Sequence, residues 1–252
     1  MACRPCARVG VPPTSRLWKR FKLWRHCNYK ELSVSSSTAA SPWTNTSDPK
    51  QARLNKREAV LRAAAQVFNE KGFQSTNLDE VAERLNVTKP TLYYYVSSKD
   101  EILFECVKIG LTMLHESIQE VAAHGGTAFD KLKAAMHRYA EIVTMDFGKC
   151  VIRVGEDPLP AESQIKLRRI KALIDAEFRQ LIEQGIAEGS IKPCDPKIAA
   201  FTIAGALSWI ARWYRPSGAL KPDEIADQCI ALLLTGFCPP KEVNQILADI
   251  KD

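Results

Sequence analysis

The sequence predicts an all-α fold, with a three-helix N-terminal unit holding a helix-turn-helix and then a helical bundle. Three observations predict it. Apolar residues recur at three- and four-residue spacing in nearly every segment beyond residue 53. Helix starts carry cap residues, among them Asn77, Thr88, Ser98 and Asp195, and helix ends carry Gly or Pro. The stretch from Asn77 to Lys99, NLDEVAERLNVTKPTLYYYVSSK, reads as two short helices joined by a tight turn.

In that stretch Leu78, Val81, Ala82 and Leu85 make one apolar face, and Ala82 is small where a second helix must cross closely. Asn77 is placed to cap the first helix, with Glu80 three residues on to bond back to it. Asn86 sits at the turn, since Asn enters the left-handed region more cheaply than most residues. Thr88 caps the second helix, and Pro90 lies in its first turn, where a missing N–H costs little. Leu92 and Val96 hold that helix inward. Three consecutive tyrosines, about 100° apart around the axis, cannot all be buried. The hairpin is the pattern that enters the DNA major groove. Thr88, Lys89, Pro90 and Thr91 are assigned to base edges and sugar; Tyr93, Tyr94 and Lys99 are assigned to phosphates, and Tyr95 adds a further phenol.

The remaining elements follow in order. Ser98 to Glu101 is a capping box that opens a helix running to about residue 123, ended by His124-Gly125-Gly126. A helix is expected from about 127 to 146, with Phe129, Leu132, Met136, Tyr139 and Val143 on one face. FGKCVIRVGEDPLP then reads as an irregular patch, because Gly148, Gly155, Pro158 and Pro160 interrupt it. A long helix from about 161 to 188 has Ile165, Leu173, Phe178 and Leu181 inward, and Gly189 stops it. Asp195-Pro196 is a clean helix start; that helix carries Phe201, Ile203, Leu207, Trp209, Ile210 and Trp213 and stops before Pro216. The last large helix begins near Pro222, and residues 240–250 add a short one.

Together with VLRAAAQVFNEKGFQSTN ahead of it, the helix-turn-helix resembles the DNA-binding domain of TetR-type bacterial repressors. The matching residues are Ala63, Ala64, Phe68, Gly72, Thr76, Val81, Ala82, Leu92, Tyr93, Tyr95, Ser98, Lys99 and Leu103. Val96 replaces the family's usual Phe, and Ser97 a common Lys or Gly, which removes one phosphate contact. The resemblance is strong over residues 53 to 104 and holds in outline beyond. It implies an N-terminal three-helix DNA-binding domain, to whose contacts it adds Thr76, followed by a helical-bundle ligand-binding and dimerisation domain. The divisions are 1–50, 51–100 and 101–252.

Helices 196–214 and 222–236 are apolar on more than one face, so each is covered on two sides. By resemblance they form the homodimer interface, and a two-fold dimer presents two recognition helices about 34–36 Å apart on a palindromic operator in double-stranded DNA. GALSWIARWYRPSGALKPDEIADQ resembles the same segment in repressors of steroid and fatty-acid catabolism, several of them released by an acyl-CoA; Lys221 stands where such segments often have a Ser cap. Trp209 and Trp213 share a helix face, with Arg212 and Arg215 beside them, and Arg153, Arg168 and Arg169 are further candidates for the anionic end of a ligand. The same residues also fit an interface core with solvated arginines. The helix over 98–123 is the expected lever between ligand and DNA. An activator, or a DNA-bound protein of division or chromosome organisation without a ligand pocket, are the alternatives.

Charge supports the division. Residues 1–50 hold nine Lys or Arg against two acids, residues 51–99 eight against five, and the rest is net acidic. Residues 1–50 lack periodicity and read as mostly disordered. Their basic aromatic segment RLWKRFKLWRHCNYK fits a backbone-following arm, a transit peptide, or leader sequence read from an upstream start codon. No apolar run is long enough to span a membrane.

The eight cysteines are too scattered for a disulfide framework, and the compartment reads as reducing cytoplasm. Cys3, Cys6, His26 and Cys27 mimic half a zinc site without a second pair. Cys106, Cys150, Cys194, Cys229 and Cys238 read as buried thiols in helices. His115, His124 and His137 share no metal motif, though His115 and His137 could meet on neighbouring helices. With no Gly-rich phosphate loop or nucleophile elbow, no catalytic residue, metal or cofactor is expected.

Overall fold

The computed structural model of the protein describes residues 49–235. The expectations for residues 1–48, for Cys238 and for a helix over 240–250 lie outside the described residues. Nine helices make up the described residues: α1 (Pro49–Lys71), α2 (Leu78–Arg84), α3 (Lys89–Tyr93), α4 (Lys99–Ala122), α5 (Ala128–Ile142), α6 (Asp146–Arg153), α7 (Ala161–Ala187), α8 (Pro196–Trp213) and α9 (Pro222–Thr235).

The three N-terminal helices close around Val60, Ala64, Val67 and Phe68 of α1, Val81 and Ala82 of α2, and Leu92 of α3, all buried. Phe73 packs on Phe68 with ring centroids 5.5 Å apart and planes tilted by 55°, and seals the loop between α1 and α2. Asn77 caps α2 by accepting the Asp79 N–H. Glu80 does not complete the box; its carboxylate pairs with Lys71 at 2.5 Å. Asn86 adopts φ 53°, the left-handed turn expected of it. The second helix of the hairpin is shorter than its pattern suggests. After Tyr93 the chain continues as turns, held by Tyr95 and Val96 N–H bonds to the Leu92 carbonyl. At the next boundary Ser98 Oγ accepts the Glu101 N–H, while the Glu101 carboxylate reaches Ser97 N rather than Ser98 N.

α4 is the axis of the bundle. It touches α1, α5, α6 and α7, and buries Leu103, Val107, Leu111, Leu114 and Ile118. α7 and α8 pack on each other, and α9 lies on α5. Asp195 caps α8 by accepting the Lys197 and Ile198 N–H groups. Ahead of α9, the Lys221 N–H donates to Glu224 Oε2 at 2.8 Å, the half of a capping box that does not need the Ser.

Two further expectations need correction, in α6 and α7. Residues 146–153, read as irregular, form α6. Its glycine is there for space rather than flexibility: a Cβ on Gly148 would stand 1.9 Å from the Ile142 carbonyl oxygen. Gly110 of α4 faces the same helix, and a Cβ there would fall 2.6 Å from the Phe147 carbonyl. Local propensity is overridden by a backbone-to-backbone crossing. In α7, Ile165 and Leu173 are about half exposed, and Leu167, Ile174 and Ile182 point inward with Phe178 and Leu181. At 100° per residue, position 165 lies about opposite the buried stripe.

The described thiols divide. Cys106 and Cys150 are buried, Cys229 is intermediate, and Cys194 is exposed in the loop before α8 rather than inside a helix. Burial pushes the Cys150 thiol up to about 12, and Cys106 well above its ordinary value. Thiolate is the reactive form. Iodoacetamide at about pH 8 is therefore expected to label Cys194 while Cys106 and Cys150 stay protected, as read by peptide mass mapping. Equal labelling of Cys150 in the folded protein would instead make the pair a candidate thiol sensor.

Candidate DNA-reading surface and effector cavity

α3 presents its polar side outward. Tyr93 and Tyr94 are 49% and 65% exposed, whereas Tyr95 is half-buried and meets Tyr94 edge-on at 5.1 Å. Arg53 of α1 lies over the Tyr94 ring at 5.4 Å, which brings a guanidinium from a second helix to this surface. Thr88 and Pro90 are exposed; Thr88 Oγ1 lies 2.9 Å from Thr91 Oγ1, so these two hydroxyls form one polar step at the start of α3. Thr88 itself makes no side-chain cap bond.

Lys89 Nζ sits 2.9 Å from Asp79 Oδ2, and that hydrogen bond raises the Lys89 pKa. Both groups are solvated, so exchanging the carboxylate for a phosphate costs little. Lys99 Nζ lies over the Phe73 ring at 4.5 Å and donates to the Gln74 carbonyl at 3.3 Å. Lys89, Tyr93, Ser98 and Lys99 surround an open recess of about 360 Å³ between α2 and the start of α4. Its donors suit an anionic oxygen. Thr76 lies on the wall of this recess but is only 4% exposed, and its hydroxyl donates to the Gly72 carbonyl at 2.7 Å. The structure therefore gives Thr76 a loop-closing role, against the DNA contact expected of it.

A cavity of about 270 Å³ lies within the bundle. Leu111 and Leu114 of α4, Val151 and Ile152 of α6, and Ile174 and Phe178 of α7 supply apolar wall, and α8 adds Ala200, Phe201 and Ala204. One polar pair faces it: Tyr139 and Ser208 hydroxyls lie 2.7 Å apart. Burial raises the Tyr139 phenol, so it stays a neutral donor at physiological pH. Lys171 and Asp175 of α7 complete the lining.

None of the five residues chosen from sequence for a ligand lines this cavity. Arg153 uses all three of its guanidinium nitrogens on backbone carbonyls. Its Nε and Nη2 donate to the Ala211 and Arg212 carbonyls at the end of α8, and its Nη1 donates to the Asn69 carbonyl of α1. Arg212 donates to the Ile152 carbonyl at 2.9 Å. Trp209 and Trp213 are 65% and 47% exposed on the outer face of α8. Arg168 is exposed, with its Nε 3.6 Å from Glu156. The residues missed were Lys171, Ile174, Asp175 and Phe178, spaced i, i+3, i+4 and i+7. Two charges interrupting an apolar stripe were the available signal. Tyr139 and Ser208 meet across 69 positions, which no local pattern announces.

α6 joins this cavity to the N-terminal helices. At its start, Gln66 Nε2 of α1 donates to Asp146 Oδ2 at 2.9 Å, and Asn69 Nδ2 donates to the Asp146 carbonyl at 2.8 Å. At its end, Arg153 holds Asn69. The outer face of α8 is an open apolar stripe of Ile198, Phe201, Trp209 and Trp213, with Gly205 at its middle and nothing within 4 Å of where a Cβ would lie. Leu232 and Leu234 of α9 are also exposed. His115 and His137 each face a carboxylate, Glu177 at 3.1 Å and Asp227 at 3.5 Å. Among the described residues no cluster could hold a metal ion, and no helix is long and apolar enough to cross a membrane.

Residues 60–106 match the family model "Bacterial regulatory proteins, tetR family", and residues 125–237 match "Tetracyclin repressor-like, C-terminal domain". The chain is 25% identical over 198 residues to the transcriptional repressor KstR2 of Rhodococcus jostii, covering 77% of this chain and 96% of that one. Among solved structures, the TetR-family regulator PfmR of Thermus thermophilus is similar at TM-score 0.65 and 25% identity, over 71% of this chain and 99% of that one. AibR, solved with isovaleryl coenzyme A and operator DNA, is similar at TM-score 0.64 and 25% identity, over 72% of this chain and all of that one.

Proposed function

The chain belongs to the TetR family of bacterial regulatory proteins, and from that premise we propose a homodimeric repressor released from a palindromic operator by an acyl-CoA thioester. It acts by binding rather than by catalysis, and its place is the cytoplasm, where bacterial DNA lies. Residues 51–100 read DNA and residues 101–252 bind effector and partner. Thr88, Lys89, Pro90 and Thr91 face base edges and sugar, and Tyr93, Tyr94 and Lys99 hold phosphates, with Tyr95 buttressing Tyr94. The open stripe on α8, with exposed leucines on α9, is the dimer surface; an uncovered apolar face of this extent calls for a partner.

One observation carries the mechanism. α6 walls the cavity through Val151 and Ile152, while both its ends are hydrogen-bonded to α1. An occupant that shifts α6 must move α1 or break those bonds. α4, which also lines the cavity and leads out of the helix-turn-helix, is the second arm of the lever. Effector binding then favours a dimer whose recognition helices no longer match successive major grooves. The cavity, about 270 Å³, lies just below the range of pockets that enclose a drug-sized ligand, about 300–1,000 Å³. It suits a short or branched acyl group, as in the isovaleryl coenzyme A bound to AibR, with the carrier outside.

The test is an anisotropy titration against DNA upstream of the gene, with and without a panel of acyl-CoA thioesters. Tight binding released by one thioester is the expected result. Tight binding that no thioester disturbs removes the effector class and keeps the repressor. No specific binding would return the alternative of a non-transcriptional DNA-bound protein, against which the cavity argues.

A further inference from the structure

Glu156 is the only buried acidic residue among the described residues, 7% exposed. It follows α6 directly, one residue after Gly155, which turns the chain at φ 70°. A carboxylate taken out of water must be paired. Here Lys171 Nζ donates to Glu156 Oε2, and Arg168 approaches Oε1 at 3.6 Å. Burial alone would raise the Glu156 pKa; the two cations outweigh it and hold it below the ordinary carboxylate value. Lys171 is also on the cavity lining, and its side chain is 39% exposed. Glu156 is not itself on that lining; the acid that is, Asp175, is held by Arg179, whose Nε donates to its Oδ1 at 3.2 Å. Arg179 also lies over the Phe201 ring at 5.4 Å. The cation at the rim is therefore already occupied, by a carboxylate belonging to the segment that leaves α6.

We propose that Lys171, with Arg168, is the receptor for a phosphate of the effector, and that Glu156 occupies it until the effector arrives. This rests on the acyl-CoA reading above. A phosphate brings more charge and more acceptor oxygens than a carboxylate, so it competes for the same ammonium group. Once Lys171 turns to the effector, Glu156 cannot stay buried beside a cation it has lost. It moves to water and draws the Gly155 turn, and with it the Arg153 end of α6. Anion recognition and the movement of α6 are then one event, and a neutral occupant of the cavity would fill it without releasing DNA.

Calorimetric titration of the full chain with isovaleryl-CoA and with isovaleryl-pantetheine, which lacks phosphate, tests this on the wild type, Glu156→Gln, Lys171→Gln and the double variant. Glu156→Gln is expected to bind isovaleryl-CoA about tenfold more tightly. Lys171→Gln is expected to bind it about tenfold more weakly, and the double variant should show none of the gain. The pantetheine thioester should bind all four alike. If the wild type binds isovaleryl-CoA and both single variants match it, the assignment is wrong and the effector reading survives. If neither the wild type nor Glu156→Gln binds any thioester, both fall together. Binding by Glu156→Gln alone would support the competitor role. Should Glu156→Gln fail to fold, Lys171→Arg is expected to stay within about threefold of wild type while Lys171→Gln does not; equal loss in both overturns the proposal.

Discussion

Replacing Tyr93 by Phe is expected to lower operator affinity about a hundredfold without disturbing the fold. The phenol stands exposed on α3 beside the recess lined by Lys89, Ser98 and Lys99, so removing its oxygen leaves the packing intact. A hydrogen bond to a charged phosphate is worth about 1.5 kcal/mol or more, and a two-fold dimer loses two, about 3 kcal/mol in all. Lys99→Ala has a different signature. Each phosphate neutralised adds about 0.9 to the slope of log K against log salt, so two fewer lysines lower that slope by about 2. Lys99 also rests on Phe73 and bonds the Gln74 carbonyl, so its loss loosens the loop that Thr76 closes. Anisotropy over about 50–200 mM salt separates the two effects. Wild-type affinity for Tyr93→Phe and a wild-type slope for Lys99→Ala would place the recognition surface elsewhere.

Arg153→Met is expected to cost about 3 kcal/mol of stability and to disconnect effector from operator. Three carbonyls lose their donors, at Asn69, Ala211 and Arg212, at about 1 kcal/mol each. Met keeps much of the side-chain volume, so the loss reports the bonds rather than a cavity. Denaturant unfolding gives the first number. For the second, operator binding should stay within a few-fold of wild type while the releasing thioester becomes far less effective. Unchanged stability, or full release by the same thioester concentration, would show that the α6 connection is not used. The joint is not fully satisfied as it stands, since Asn69 Oδ1 is buried with no donor. A connection of this kind is held less tightly than the core around it.

Where caps and apolar spacing decide the structure, they were readable: Asn77 and Asp195 cap the helices predicted for them, and Asn86 takes the left-handed turn. Such signals act within four residues of chain, so one sequence suffices. α6 was hidden for the opposite reason. Gly148 resembles a helix breaker, and only the approach of the Ile142 carbonyl explains it. The tryptophans were legible as exposed or covered but not as to which side. Trp209 and Trp213 lie on the outer stripe of α8, while the cavity takes Ala200, Ala204 and Ser208 from the same helix. Small residues and a lone serine carry no aromatic or charge signal. Arg153 shows the limit of reading charge alone: an arginine assigned to a ligand spends three donors on backbone carbonyls of two other helices.

The polar joint between α1 and α6 consists of very few groups, chiefly Gln66 and Asn69 on one side and Asp146 and Arg153 on the other, while Arg57 of α1 pairs separately with Glu101 and Glu105 of α4. No residue of the tyrosine-bearing surface lines the cavity, and none of the cavity lining reaches that surface. Operator sequence and effector chemistry can thus drift independently across descendants, provided these joining side chains are inherited together. The same economy makes the chain a ready source of interchangeable parts. A foreign reading head grafted onto this sensor is expected to need a Gln and an Asn at the positions of 66 and 69, and an Arg at that of 57 to keep its pairs with α4.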